Sequence, residues 1–299
     1  MAIWQATQVK ELLTGHGFAS ELVFIKSEGD LDPVTPLYEI GVQGIFTRSL
    51  DAALLSNRID VAVHSLKDVP TQLPAGLLQA AVLERGPVSD LLVFKNKMCE
   101  EKYSRLGTHH VPLSIATSSI RRKAQWLHRY PDHDIQNLRG NVNTRLKKLQ
   151  EENWDAAIFA QAGLERIGLR PASSMVIDWM LPAPAQGAIV AVCREDDQFA
   201  FDACRYFNDG ETEICTKIER DFLRQLLGGC STPISALAQI ENDNVVFKGN
   251  ILSVDGSEIA EVQASAPVFE GRDLGTKAAI SLLQKGAQKL VEGIRYVSK

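Results

Sequence analysis

The sequence predicts an α/β fold with mostly parallel sheets, spread over more than one domain and closed by a small C-terminal α+β unit. Three observations carry that prediction. Short apolar runs bounded by turn residues alternate with helically spaced segments between residues 21 and 193. Chemistry-bearing side chains gather just past the ends of those runs, where open α/β sheets place their ligands. After the polar stretch 208–212 the order changes to one helix followed by three strand-like runs.

In chain order, residues 1–13 place apolar side chains at helical spacing, and 21–26 read as a strand leading into a polar loop with Gly29, Pro33 and Pro36. Gly41-Val42-Gln43-Gly44 is a loop before a helix over 46–56. Val61-Ala62-Val63 is a buried strand that switches abruptly to His64, Ser65, Lys67 and Asp68 before Pro70 ends regular structure. Taken alone, that tip reads as a solvated turn with a surface Lys–Asp pair. Residues 77–83 are another strand, 90–94 a short apolar run, and polar 95–110 an exposed excursion.

Three strand–turn–helix units follow. The first is 113–116, Thr117-Ser118-Ser119 with cap-forming hydroxyls, and a helix over 120–129. The second is 135–138, Arg139-Gly140-Asn141, and a helix over 144–152 capped by Asn143; the third is 156–160 and a helical turn over 163–167. Pro182, Pro184 and Gly187 mark a crossing between domains before a strand over 189–193. The tail holds a helix over 215–227, a loop with Cys230, strands over 236–240, 245–251 and 260–265, and an amphipathic segment over 273–290.

Arg121 and Arg122, then Arg139 and Arg145, then Arg166 lie at or near successive helix beginnings. Cations there oppose the helix dipole at about 0.3–1 kcal/mol each. Junctions of one parallel sheet face a common rim, where guanidinium forks and free N–H groups bind carboxylate or phosphate. The alternative is exposed arginines on separate surfaces, but a chain of net charge −5 has little general reason to cluster them. The same balance argues against a nucleic-acid or anionic-membrane binder. Cys99, Cys193, Cys204, Cys215 and Cys230 are widely spaced with no C-x-x-C pair, which favours reduced thiols over disulfides or a metal site. No apolar run approaches membrane-span length, and residues 1–20 lack the pattern of a secretion signal. A cytoplasmic monomer is expected.

VHSLKDVP (63–70), ATSSIRRKAQ (116–125), LRGNVNTRL (138–146), LPAPAQGAI (181–189) and LGGCSTPI (227–234) occur in one order. With Ala2-Ile3-Trp4-Gln5-Ala6 they make nearly the whole chain resemble the porphobilinogen deaminase, or hydroxymethylbilane synthase, family. The resemblance implies two periplasmic-binding-protein-like lobes, 1–90 with 186–207 and 91–185, around a cleft, and a C-terminal domain over 208–299. It implies stepwise condensation of four porphobilinogens with loss of ammonia, through a cationic azafulvene-like species, to give hydroxymethylbilane for tetrapyrrole and heme synthesis. A dipyrromethane cofactor, thioether-linked to Cys230, would prime the chain. Asp68 matches the catalytic carboxylate. Ser65, Lys67, Thr117, Ser119, Arg121, Arg122, Arg139 and Arg145 match cofactor-contacting positions, and Arg166 and Gln186 substrate-contacting ones. His64 reads as structural, and no metal is implied.

Two departures stand out. Family members usually begin with an extra strand carrying a cofactor-binding arginine and serine, whereas this sequence opens at Met1-Ala2-Ile3-Trp4-Gln5. That leaves a start assigned late, or a shortened protein that holds its cofactor less well. Glu39 and Gln43 stand where many relatives carry lysines, so substrate affinity rather than chemistry is expected to change, with KM of Gln43→Lys as the measure. A non-catalytic two-lobe binder of organic anions is the rival reading; Asp68 and Cys230 discriminate, since anion binding needs neither.

Overall fold

The structure is a computed structural model that describes residues 1–25, 47–104, 112–226 and 232–297. Helix α1 (Ala2–Gly15) buries Val9 and Leu13 beside Leu83 and Ile189, then α2 (Arg48–Leu55), β1 (Ala62–Ser65) and β2 (Leu77–Val82) follow. The chain continues through β3 (Asp90–Phe94), α3 (Lys97–Ser104), β4 (Ser114–Ala116), α4 (Ile120–Arg129) and β5 (Asp134–Gln136). Next come α5 (Val142–Glu151), β6 (Ala156–Ala160), α6 (Gln161–Glu165) and β7 (Ser174–Ile177). Strand β8 (Ile189–Arg194) returns to the first lobe and leads into α7 (Gln198–Arg205). The last unit is α8 (Gly210–Leu226), β9 (Ile234–Glu241), β10 (Asn244–Leu252), β11 (Ile259–Pro267), α9 (Leu274–Leu282) and α10 (Gln288–Val297).

The first lobe's sheet has the order β1-β8-β2, the second β5-β4-β6-β3-β7, and the C-terminal sheet is an antiparallel meander. The α/β class with a small α+β unit stands, and its parallel part is the β5-β4-β6 row. Fewer ladders are parallel than strand–helix alternation predicts. The reason is that β3 and β8 carry the chain between lobes and enter each sheet against their neighbours. Each unit has its own core: Leu54, Leu66 and Val190; Phe94, Ile115 and Trp126; and Ile218, Phe222 and Phe247. Burying such side chains contributes about 1.5–3 kcal/mol apiece.

Several local expectations change. Residues 21–25 form no strand, and Val23 and Phe24 are exposed, because an apolar run becomes a strand only beside a ladder partner. Lys26, the loops over 27–36 and 41–44, and Glu39 and Gln43 lie outside the described residues. The polar stretch after β3 contains a helix, α3, where Asn96 accepts from the Cys99 N–H at 3.0 Å and Lys102 pairs with Asp155 at 2.9 Å. Asn141, not Asn143, caps α5, accepting from the Thr144 N–H at 2.9 Å, so the helix begins two residues earlier than predicted. The segment over 273–290 breaks at Gly286, whose φ of 105° leaves the helical region.

The two segments that cross between lobes meet backbone to backbone. The Gly86 N–H donates to Gly187 O at 3.1 Å, and a Cβ on Gly187 would stand 2.5 Å from Gly86 O. Only glycine fits there. Ala185 is held at a φ of 61°, its N–H donating to Glu219 Oε2 at 2.6 Å. This crossing presents Gln186 between the lobes.

Candidate active site

Strand β1 buries Ala62 and His64 on one face and ends in one 3₁₀ turn, Leu66–Asp68. Leu66 and Val69 anchor the turn in the first core, so Lys67 and Asp68 face away from it. His64 is buried, and burial lowers its imidazole to about 4, keeping the ring neutral. Its packing agrees with a structural role. Ser65 Oγ accepts from Gln5 Nε2 of α1 at 2.8 Å, so a residue known only from the opening motif touches the site.

In the second lobe Ser119 caps α4, accepting from the Arg122 N–H at 3.4 Å, while Thr117 Oγ1 accepts from the Ser119 N–H at 3.2 Å. Arg121 and Arg122 both turn inward to Asp90, while Arg122 also lines the cleft. Their Nη2 atoms donate to Asp90 Oδ2 at 2.7 Å and Oδ1 at 2.8 Å, and their Nη1 atoms to the carbonyls of Leu181 and Ile158. Burial alone would raise the Asp90 carboxyl, but the two guanidiniums hold it well below the usual range. Asp90 was missed as a functional residue. Its signal was a carboxylate at the head of the apolar run Leu91-Leu92-Val93.

Gln186 joins the lobes. Its Nε2 donates to Asp90 Oδ1 at 2.9 Å and to Val88 O at 2.7 Å, which leaves Oε1 to accept from Lys67 Nζ at 3.4 Å. Both acceptors fix the amide's orientation. Arg145 spends its Nε on Gly140 O at 2.7 Å and makes no ion pair among the described residues. Arg166 follows α6 at its C-terminal end, not its beginning, because that helix starts at Gln161; the dipole there favours a cation. Arg166 donates to Gly187 O and lies 5.7 Å from the centroid of the Trp4 ring.

Together Ser65, Lys67, Asp68, Arg122, Arg145, Arg166 and Gln186 line a cleft of about 190 Å³ between the lobes. Thr117, Ser119, Arg121 and Arg139 are not part of this lining, and Cys230 lies outside the described residues. Burial lowers Lys67 to about 8, with Asp68 opposing the shift. Burial also lowers Arg145 to about 10, helped by Arg122 and Arg139. Asp68 keeps an open face to solvent, yet crowding by the cleft walls raises its carboxyl, against the pull of Lys67, Arg145 and Arg122. One carboxylate among several cations suits an anionic ligand on which positive charge develops during reaction. No helix among the described residues is long and apolar enough to cross a membrane.

Fold and cleft thus define a multi-domain α/β protein whose cleft gathers Lys67, Arg122, Arg145 and Arg166 around the Asp68 carboxylate. The family model "Porphobilinogen deaminase, dipyromethane cofactor binding domain" matches residues 1–202, and "Porphobilinogen deaminase, C-terminal domain" matches 213–284. A porphobilinogen deaminase from Nitratiruptor sp. is 39% identical over 98% of this chain and 93% of its own length. One from Syntrophotalea carbinolica is 38% identical with the same two coverages. The solved BvgS VFT2 domain of Bordetella pertussis is similar over 67% of this chain and 75% of its own, at 12% identity and a TM-score of 0.38. The chain belongs to the porphobilinogen deaminase family.

Proposed function

We propose that this chain is a hydroxymethylbilane synthase that condenses four porphobilinogens head to tail, releasing ammonia at each step. The observation that carries the proposal is Asp68, the one cleft carboxylate among the described residues, ringed by Lys67, Arg122, Arg145 and Arg166. Each pyrrole bears acetate and propionate groups, so the growing product is a polyanion that needs such a ring. Loss of the amine leaves a cationic species, which Asp68 stabilises and from whose successor it takes a proton.

A dipyrromethane cofactor fits these residues. Arg122 Nε is buried without a partner among the described residues, and Arg145 and Arg166 donate only to single carbonyls, so donors exceed acceptors. When bound, the group supplies the nucleophilic pyrrole carbon to which the first substrate is added. Ser65, Lys67, Arg122 and Arg145 would hold its carboxylates, with Arg166 and Gln186 toward the incoming substrate. Thr117, Ser119, Arg121 and Arg139 would set α4 and α5 behind them, and Cys230 would be the thioether anchor.

The reading divides the chain into 1–90 with 186–207, 91–185 and 208–299, in keeping with the three sheets. It places a monomer without a nucleic-acid partner in the cytoplasm, and the unbridged Cys99, Cys193, Cys204 and Cys215 agree with that compartment. Ammonia release and hydroxymethylbilane formation from porphobilinogen, parent against Asp68→Ala, test it. A loss of about 10²–10⁴ in kcat is expected in a variant that stays folded. Porphobilinogen binding without turnover in the parent would instead favour a non-catalytic anion binder.

A further inference from the structure

Arg220 belongs to α8 of the C-terminal unit, yet its side chain reaches the first lobe. Its Nη1 donates to Leu66 O at 3.1 Å and to Val69 O at 2.9 Å, and its Nη2 to Pro70 O at 2.6 Å. These carbonyls bracket the single 3₁₀ turn that carries Lys67 and Asp68. We propose that Arg220 is a positioning residue for the reaction: by clamping the backbone on both sides of that turn, it sets the direction of Lys67 and Asp68 into the cleft. This rests on the proposed function.

Besides the packing of Leu66 and Val69 in the first core, the turn is held by the Val69 N–H donating to Leu66 O at 3.2 Å and the Leu66 N–H donating to Ala188 O at 3.0 Å. Asp68 is exposed, so the place from which its carboxylate reaches the cleft is set by the backbone of the turn. A planar guanidinium satisfies carbonyls at both ends of the turn at once, and any rotation of the turn breaks at least one of those bonds. Lysine, a point donor on a flexible stem, does not reproduce that fork.

The base of the clamp is itself fixed. Glu219, the preceding residue, is fully buried and accepts from Arg85 Nη1 at 2.7 Å, from the Ala185 N–H at 2.6 Å and from the Ala238 N–H at 2.7 Å. Helix α8 is thereby registered to the crossing segment and to β9 before Arg220 leaves it.

The test compares holoenzymes of the parent, Arg220→Ala and Arg220→Lys. Arg224→Ala serves as control, an exposed residue of the same helix paired with Asp221. Arg220→Ala is expected to lower kcat about tenfold to a hundredfold, as a misplaced catalytic group does. KM should stay within about twofold. The acid limb of the pH–kcat profile should move, because Asp68 shifts relative to Lys67, Arg145 and Arg122. Arg220→Lys should recover part of kcat, and amide exchange at Leu66 and Val69 should quicken in both variants but not in the control. An unchanged kcat and pH limb with only a lowered Tm would overturn the proposal, as would the same losses in Arg224→Ala. If Arg220→Ala fails to fold, Arg220→Lys decides: unchanged kcat and unchanged exchange at those amides overturn it. An inactive parent counts against the proposed function instead, and exchange at Leu66 and Val69 then still decides whether Arg220 holds the turn.

Discussion

Arg121 and Arg122 on α4 and Arg145 on α5 follow neighbouring strands of one sheet, yet their guanidiniums end in opposite states. The α4 pair is buried and shares the two oxygens of Asp90, each Nη1 goes to a carbonyl, and Arg122 Nε has no partner among the described residues. Arg145 meets a single carbonyl and keeps the rest of its fork toward the cleft. The difference teaches that an arginine-rich motif is divided between internal neutralisation and ligand capture. The division follows from where the sheet brings a carboxylate, not from the arginines themselves. A neutralised pair stiffens the wall, and an uncompensated cation waits for an anion.

The largest effect expected from that contrast is on Asp90. Asp90→Ala leaves two buried guanidiniums without their counter-charge, and should cost about 3–5 kcal/mol of stability, read as a lowered urea midpoint. Asp90 also dictates the acid side. Its folded pKa lies below the ordinary 3.8, so its contribution is complete above that value and is lost only as pH falls through the lower folded one. Unfolding midpoints that dropped between neutrality and mild acid on account of Asp90 would break the comparison.

Next in size is Gln186→Leu, which strips a buried partner from Asp90 and the acceptor from Lys67. A loss of about 1–3 kcal/mol is expected, together with a raised KM for porphobilinogen as Lys67 loses its orientation. Arg145→Ala sharpens the contrast from the other side. Stability should change by about 1 kcal/mol, the worth of one hydrogen bond. Porphobilinogen or cofactor binding should weaken tenfold or more, which is about 1.4 kcal/mol or above. Equal destabilisation by Arg145→Ala and Asp90→Ala would erase the distinction.

The smallest expected effect concerns Lys67, whose folded value of about 8 lies below its ordinary 10.5. Between those two values the unfolded chain binds more protons than the folded one, so stability should rise with pH across the window. Lys67→Met should flatten that rise. Urea midpoints measured across the window for both proteins check it, and parallel curves would show that Lys67 is not held down by its surroundings.

Much of the scaffold was legible because local rules decide it. The helix over 120–129 was read to the residue, from the cap-forming hydroxyls of Thr117-Ser118-Ser119 before it, and the strand over 156–160 likewise. Strand β7 and helix α7 were not foreseen: β7 is a short, partly exposed edge strand, and α7 has only a few buried positions. Arg166 was placed at the wrong end of its helix, since a five-residue turn carries too little pattern to fix its start. Glu219 was within reach of sequence reasoning. It falls at helical spacing among Cys215, Ile218 and Phe222, and a carboxylate on an apolar face needs a buried partner.

By itself the sequence determined the strand and helix periods, the place of Asp68 just beyond the end of a buried strand, and the ordered motifs by which the chain resembles its family. These depend on neighbours within a turn or two. Only the tertiary structure decided which arginines Asp90 neutralises, that Gln186 bridges to Lys67 from 119 residues away, and that Arg220 grips the turn at Pro70 across 150. The physical reason is that a charge or amide takes the partner the chain's path delivers. Local periodicity says which face a side chain occupies and nothing about what stands opposite.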